Sequence, residues 1–453
     1  MYFEWLKSFK NIKEYPKPIS LKVRKGFIPS SIYGTYYKNG PGRFDEYGTK
    51  VIHPFDGDGY ISAFRFENGT VSYQSRLVQT KHRIHEQLRQ KRLYSGAFGT
   101  PPSYTWLKNT ANTNVIYWGK YIIAFQESGI PYILDPVTLD TIDTLPNFKS
   151  GIPYQNGNSL IDTILKNTGL VGQSVCAHPK IIDDRLILYT LGYNNKETCI
   201  TFYEIDDCFN IACQNDYVIP GFLYIHDFVV SETHYLFFKH PIHFDITKMK
   251  DGMVNCITLK KDGSTLLYAF PRPMLKLSRP VVVETLPGFI THHAGVKTLA
   301  PLSFQYSIYS ILYPNGFRFD KMMTQQHGLL YQTQWNVMTG DLHQVRLSNK
   351  PMEFPCMDRY GDIYGILANR LMKYSNMTGK IDVWMTGAYT FLGEPMLLND
   401  DYLICTCYDS KKDSSVLLIW DIHEFMVGPI VEIELPEAVP VGLHGFWHKE
   451  ISL

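Results

Sequence analysis

The chain has 453 residues, with 44 Lys and Arg against 43 Asp and Glu and a formal net charge of +1. That balance argues against nucleic acid as the main partner, since phosphate binding needs a clear basic excess. With 14% aromatic and only 19% charged residues, the composition excludes a disordered chain and supplies a large core.

In chain order, the first 18 residues, MYFEWLKSFKNIKEYPKP, lack the uninterrupted apolar stretch of a secretion signal. No later apolar run reaches the roughly 18 residues of a membrane-spanning helix. The expectation is a cytosolic protein. Glu67-Asn68-Gly69-Thr70 is a two-residue hairpin signal. Residues 80–94 (TKHRIHEQLRQKRLY) read as a basic helix with Ile84, Leu88 and Tyr94 loosely on one side. Residues 114–126 then read as strands. Residues 156–170 read as a second helix, with Ser159 as a possible cap and Leu160, Ile161, Ile164 and Leu165 at helical spacing. Strand-type runs follow at 186–193, 198–205, 228–238, 402–408, 415–420 and 430–435, with turn signals at Asn315-Gly316 and Thr378-Gly379-Lys380.

Many short strands at fairly even spacing suggest a propeller, barrel or sandwich, and this length suits a propeller of about six to eight four-stranded blades. WD and kelch signatures are absent from the sequence, as are Pro-, Gly- or Ser-rich linkers. One domain over residues 1–453 is therefore expected. The eight Cys include no CxxC pair, which leaves a zinc ribbon or redox pair unsupported. Reduced, mostly buried thiols are expected, with Cys405 and Cys407 on one face of a strand. Asn68-Gly-Thr and Asn376-Met-Thr fit the glycosylation pattern, which matters only in a secreted protein.

Fifteen His is a high count. Four sit in dense phrases beside strands: His178 in CAHPKIID, His226 in IHDFVV, His292 in FITHHAG and His444 in VGLHGFW. They lie 48, 66 and 152 residues apart, so no two share a helix turn and only the fold could unite them. A propeller axis is one place where residues of distant blades converge. Spacing alone gives no standard ligand pattern. His53, His82, His85, His234, His240, His243, His327, His343, His423 and His448 are expected to face solvent or caps, and Asp56 and Asp58 of FDGDG to order a turn.

Nine phrases in order resemble the carotenoid cleavage oxygenase family, which includes carotenoid and apocarotenoid oxygenases, stilbenoid-cleaving oxygenases and the retinoid isomerohydrolase. They are IYGTYYKNGP from Ile32, HPFDGDG from His53, NTANTN from Asn109, ESGIPYILDP from Glu127, AHP at His178, HDF at His226, EFP at Glu353, GEP at Glu394 and LHG at His444. The resemblance implies an all-β, seven-bladed β-propeller with Fe(II) on its axis, loops capping the metal site, and His178, His226, His292 and His444 as ligands. Four neutral imidazoles suit Fe(II) and leave two positions of an octahedron open for oxygen chemistry. The matching carboxylates, Glu127, Glu353 and Glu394, would accept the outer N–H of three ligands, fixing tautomer and ring direction.

The third ligand phrase departs from the family's Phe-His-x-x-Asn: this chain reads His292-His293-Ala294-Gly295. Phe289, three residues earlier, favours His292, with His293 turned to the opposite face of an extended segment. Gly295 replaces the usual Asn. Thr113 matches a Thr near the open iron position, with a local backbone role as its structural alternative.

The implied reaction inserts both atoms of O2 across an alkene bond of an apolar polyene, giving two carbonyl products. In the stilbenoid-cleaving branch a Lys precedes the first of these Glu residues and binds the phenol; here that position is Gln126, which cannot stabilise a phenolate as an ammonium can. A carotenoid or apocarotenoid is therefore expected ahead of a stilbenoid. A non-catalytic propeller binding module remains the alternative from another class, and a propeller hydrolase would expect Asp, Glu and Asn around calcium. Peripheral contact with a membrane leaflet is expected through an apolar patch, with 208–224 (CFNIACQNDYVIPGFLY) and the basic stretch Lys81–Arg92 as candidates.

Overall fold

A computed structural model describes residues 2–102, 107–127, 129–145, 174–193, 196–260, 263–273, 275, 279–300, 304–314, 328–440 and 442–451. The expected helix at 156–170, the Asn315-Gly316 turn and His327 lie outside these residues.

Seven antiparallel sheets form a seven-bladed β-propeller. Blade 1 runs outward through Gly34–Arg43, Asp58–Glu67, Thr70–Leu77 and Tyr15–Ser20, with Gly445–His448 as its innermost strand. Blade 2 comprises Asn114–Trp118, Tyr121–Phe125, Tyr132–Leu134 and Thr141–Thr144. Blade 3 begins with a split strand, Ser174–Val175 and Lys180–Ile182, followed by Arg185–Tyr193, Glu197–Ile205 and Ile211–Pro220. Blade 4 is Val229–Val230, His234–Lys239, Thr265–Pro271 and Val281–Thr285, interrupted by the hairpin Ile242–Phe244 with Ile257–Leu259. Blade 5 is Phe289–Ala300, Gln305–Tyr313, Leu329–Asn336 and Leu342–Arg346. Blade 6 is Glu353–Met357, Ile363–Leu367, Arg370–Tyr374 and Ile381–Met385. Blade 7 again splits its first strand, Thr390–Leu392 and Met396–Leu398, before Tyr402–Asp409, Ser414–Asp421 and Val431–Glu434. Val23–Lys25 completes blade 7 from the other end of the chain, so the ring is closed twice.

Position within a blade explains the strand patterns. A middle strand is covered on both faces by neighbouring blades, so Tyr402–Asp409 (YLICTCYD) is buried along nearly its whole length, with Cys405 and Cys407 inside. The outermost strand Ile211–Pro220 alternates, and Ile211 and Val218 point outward. The candidate patch at 208–224 is thus largely an ordinary blade edge. The aromatic excess fills the wedges between blades: Phe202 stacks on Tyr235 at 4.1 Å between blades 3 and 4, with Phe237, Phe270 and Tyr217 around them. The Asn68-Gly69 hairpin forms as expected, both residues at positive φ (49° and 72°), the geometry that matches strand twist.

The basic helix forms over Lys81–Arg89, capped by Thr80 Oγ1 accepting from Arg83 N. Its inward face is charged, not apolar. Arg83 and Glu86 are buried, whereas Ile84 and Leu88 are 42% and 78% exposed. The inward pull is electrostatic. Arg83 pairs with Asp58 (2.8 Å) and Glu46 (2.9 Å), and Lys108 with both Asp58 and Glu86 (2.7 Å each). Asp58 is therefore the centre of a buried ion cluster rather than a turn residue. Asp56 does order a loop, accepting from Phe98 N, Thr100 N and Thr100 Oγ1. His234 and His240, expected at the surface, are buried against the Tyr306 hydroxyl and the Gly288 carbonyl. Burial holds them at about 4 and about 3, neutral at ordinary pH.

Candidate metal centre

Every blade sends a polar residue from at or near its inner edge towards the axis. Blades 3, 4 and 5 supply His178, His226 and His292, and His444 directly precedes the closing strand of blade 1. Blade 2 supplies Thr113 and Glu127, blade 6 Glu353 and blade 7 Glu394. The imidazoles of His178, His292 and His444 can each place a ring nitrogen within 4.8 Å of the other two. Nε2 of His226 lies 3.3 Å from Nε2 of His292.

Register irregularities in Phe289–Ala300 around His293 re-aim consecutive side chains. His292 turns to the axis, while His293 turns away and meets Ser310 Oγ at 2.7 Å. Gly295 leaves the space that a Cβ would need to the Met357 side chain, 2.6 Å from the Cβ position.

Three histidines are oriented by carboxylates through Nδ1: His226 by Glu127 (3.0 Å), His292 by Glu353 (2.7 Å) and His444 by Glu394 (2.8 Å). An Nδ1–H held by a carboxylate leaves Nε2 as a lone pair aimed inward. Each carboxylate has further support. Tyr224 donates to Glu127, Thr291 and Tyr313 to Glu353, and the Gly445 amide to Glu394. Tyr224, Thr291 and Tyr313 escaped the sequence reading; their one signal is proximity, two residues before His226 for Tyr224 and one before His292 for Thr291.

Burial and then the neighbouring imidazoles push His178 well below its usual range, and burial lowers His444 despite Glu394. For His226 the effect of burial is outweighed by Glu127, and its affinity for protons rises. Burial opposes ionisation of Glu353 and Glu394 too, but the partnered histidines and hydrogen bonds hold both below the ordinary carboxylate range.

The donor set fits a divalent cation. Two inward lone pairs 3.3 Å apart repel unless something positive lies near them, and three carboxylates stand behind the imidazoles, with the buried Lys38 ammonium acting on Glu394. His178 Nε2 is buried with no hydrogen-bond partner among the described residues. Four imidazole nitrogens suit a borderline metal such as iron, cobalt or zinc.

A cavity reaches the histidines. His226, His292 and His444 line it with Thr113, Gln126 and Glu127, and its apolar wall includes Phe55, Phe98, Met253, Val254, Phe289 and Phe354. Thr113 is also tied to the centre through its carbonyl, which accepts from His444 N at 3.2 Å. Gln126 lies in the wall, but its amide serves the loop opposite, accepting from Thr110 and Ala111 and donating to the Lys108 carbonyl.

Residues 8–449 match the family described as RPE65, retinal pigment epithelial membrane protein. Apocarotenoid-15,15'-oxygenase of Synechocystis is 26% identical, over 93% of this chain and 92% of its own. Carotenoid cleavage dioxygenase 7 of Oryza sativa is 26% identical over 95% and 88%, and isoeugenol monooxygenase of Pseudomonas nitroreducens 25% over 93% of each. Among solved structures, an ACO/RPE65 chimera and cobalt-substituted Synechocystis ACO share the fold, each with TM-score 0.84, 24% identity and 99% coverage of both chains. The chain belongs to the RPE65 and carotenoid oxygenase family and is an oxidoreductase of that family.

Proposed function

We propose that the protein is a non-haem Fe(II) dioxygenase that cleaves one C=C bond of a carotenoid or apocarotenoid with O2, giving two carbonyl products. The observation that carries this reading is the junction of the four-histidine centre with an apolar, aromatic-walled cavity. His178, His226, His292 and His444 would hold the iron, which supplies O2 activation. Glu127, Glu353 and Glu394 hold three of the imidazoles in one tautomer. The cavity wall fixes the polyene in one register, so that a single double bond meets the oxidant, and excludes water from it. Two cavity features disfavour a phenolate. Gln126 is committed to the loop, and the Lys108 ammonium is already shared between Asp58 and Glu86.

We further propose, for a cytoplasmic protein, that peripheral contact with a membrane leaflet uses helix Lys81–Arg89 in preference to 208–224. Outward Ile84 and Leu88 beside Lys81, Arg89 and Lys91 combine apolar insertion with attraction to anionic headgroups.

The test incubates the Fe(II)-loaded protein with β-carotene, an apocarotenal and resveratrol under 18O2, with His178→Ala as control. One labelled oxygen in each fragment of a polyene is the expected result. Labelled aldehydes from resveratrol alone would transfer the protein to the stilbenoid branch. Stoichiometric iron with no product from a broader polyene panel would favour a binding module.

A further inference from the structure

Blades of a propeller meet through side chains, not through a shared sheet, so the spacing of residues on different blades needs its own fasteners. Around this axis the fasteners are polar, and several lie within two residues of a histidine. Asn39 Nδ2 of blade 1 donates to the Asn114 carbonyl of blade 2 (2.8 Å), and Asn114 Nδ2 donates to the Ala177 carbonyl beside His178 (2.8 Å). Asn39 Nδ2 also donates to the Ala111 carbonyl (2.9 Å), and all of these links are neutral. The next two gaps are spanned by one carboxylate. Asp227, directly after His226, accepts at Oδ1 from Lys180 Nζ of blade 3 (2.7 Å) and from its neighbour's amide, Phe228 N (2.8 Å). At Oδ2 it accepts from His293 N of blade 5 (2.9 Å). The side chain is 3% exposed.

Resting on the metal-centre reading, we propose that Asp227 is a positioning residue: a buried carboxylate that sets the mutual spacing of His178, His226 and His292 by joining the three blades that carry them. It touches no ring of the four. It acts on the backbone at two histidine-bearing segments and, through Lys180, on the third, each one or two residues from the imidazole concerned. A carboxylate suits this work because it has lone pairs for three donors at once, one of them charged, where Asn offers a single carbonyl oxygen. Asp227→Asn keeps the volume but sets an NH2 group against either the Lys180 ammonium or the His293 amide, so one blade is released while the fold is kept.

The test compares wild type, Asp227→Asn, Lys180→Met and Glu204→Gln, each stripped of metal and titrated with cobalt(II) against a chelator, with the visible d–d spectrum and the melting temperature recorded. Glu204 joins Tyr235 and Arg272 of blade 4 to blade 3 away from the axis, and serves as a control for interblade stability alone. Asp227→Asn is expected to weaken cobalt binding by about tenfold or more, the usual cost of losing an outer support, and to change the d–d spectrum. Lys180→Met should do so more mildly, and Glu204→Gln should lower only the melting temperature. Unchanged cobalt affinity and spectrum in Asp227→Asn, or a loss of melting temperature alone as in Glu204→Gln, would overturn the proposal. A wild type that binds no cobalt would instead sink the metal-centre reading.

Discussion

Lys108 of the ion cluster and the histidines of the axis line one cavity, and the two polar regions they belong to are built to opposite rules. In the ion cluster, Arg43, Arg83 and Lys108 meet Asp58, Glu46 and Glu86 charge for charge. At the axis, three carboxylates face imidazoles that can be neutral. The first region is complete within the chain and can only stabilise. In the second, Lys38 acts on Glu394, and the remaining negative charge favours a proton or a cation among the imidazoles, so it is poised to bind. Buried charge alone does not mark function; an unmatched sign does.

The largest expected effect breaks the first region. Lys108→Met leaves Asp58 and Glu86 without a shared cation, at a cost of about 3–5 kcal/mol; calorimetry should show a large fall in melting temperature, while the refolded fraction still binds cobalt. Glu353→Gln does the reverse. Metal affinity drops about 10–100-fold, read by chelator competition, with a smaller change in melting temperature than Lys108→Met causes.

A third measurement uses pH. His234 and His240, at about 4 and about 3 in the folded protein, bind protons near 6.5 when unfolded. Between those values the unfolded chain holds more protons, so stability falls as pH drops from about 6.5 towards 4. His234→Gln should flatten that limb of a urea-midpoint profile without touching metal affinity. Metal binding at the axis also weakens on acidification, because protons compete for the same nitrogens, and the His234 variant should leave that curve in place. The smallest effect is Leu88→Glu. Stability should change by less than about 0.5 kcal/mol, while sedimentation with anionic vesicles is lost.

The resemblance, more than periodicity, made the blade count and the four histidines legible. Even spacing of strands left barrel, sandwich and propeller open, and no ligand spacing ties His178 to His444. Between His292 and His293 the resemblance chose, through Phe289 three residues before His292, and the structure turns His293 to Ser310 instead of the axis. What the sequence hid are the partners supplied by distant blades. Ile84, Leu88 and Tyr94 read only as loosely sharing one side of the helix, and which side faces inward is set by Asp58 and Lys108, outside it. Asp227, Asn39 and Asn114 give no sign of their partners until the ring brings blades 3, 4 and 5, or 1, 2 and 3, side by side. His234 and His240 carry no mark of burial, since their hydrogen-bond partners belong to other strands.

The double closure of the ring gives the centre a further property. His444 stands one residue before the strand that seals blade 1, where Lys38 and Leu443 meet across 405 positions of chain. Joining so distant a pair carries an entropic cost of about 5 kcal/mol, and until it is met the centre holds at most three of its four imidazoles. Capture of a metal by all four nitrogens would thus report that the last blade has locked, so an assembly intermediate with an open ring would lack a complete donor set.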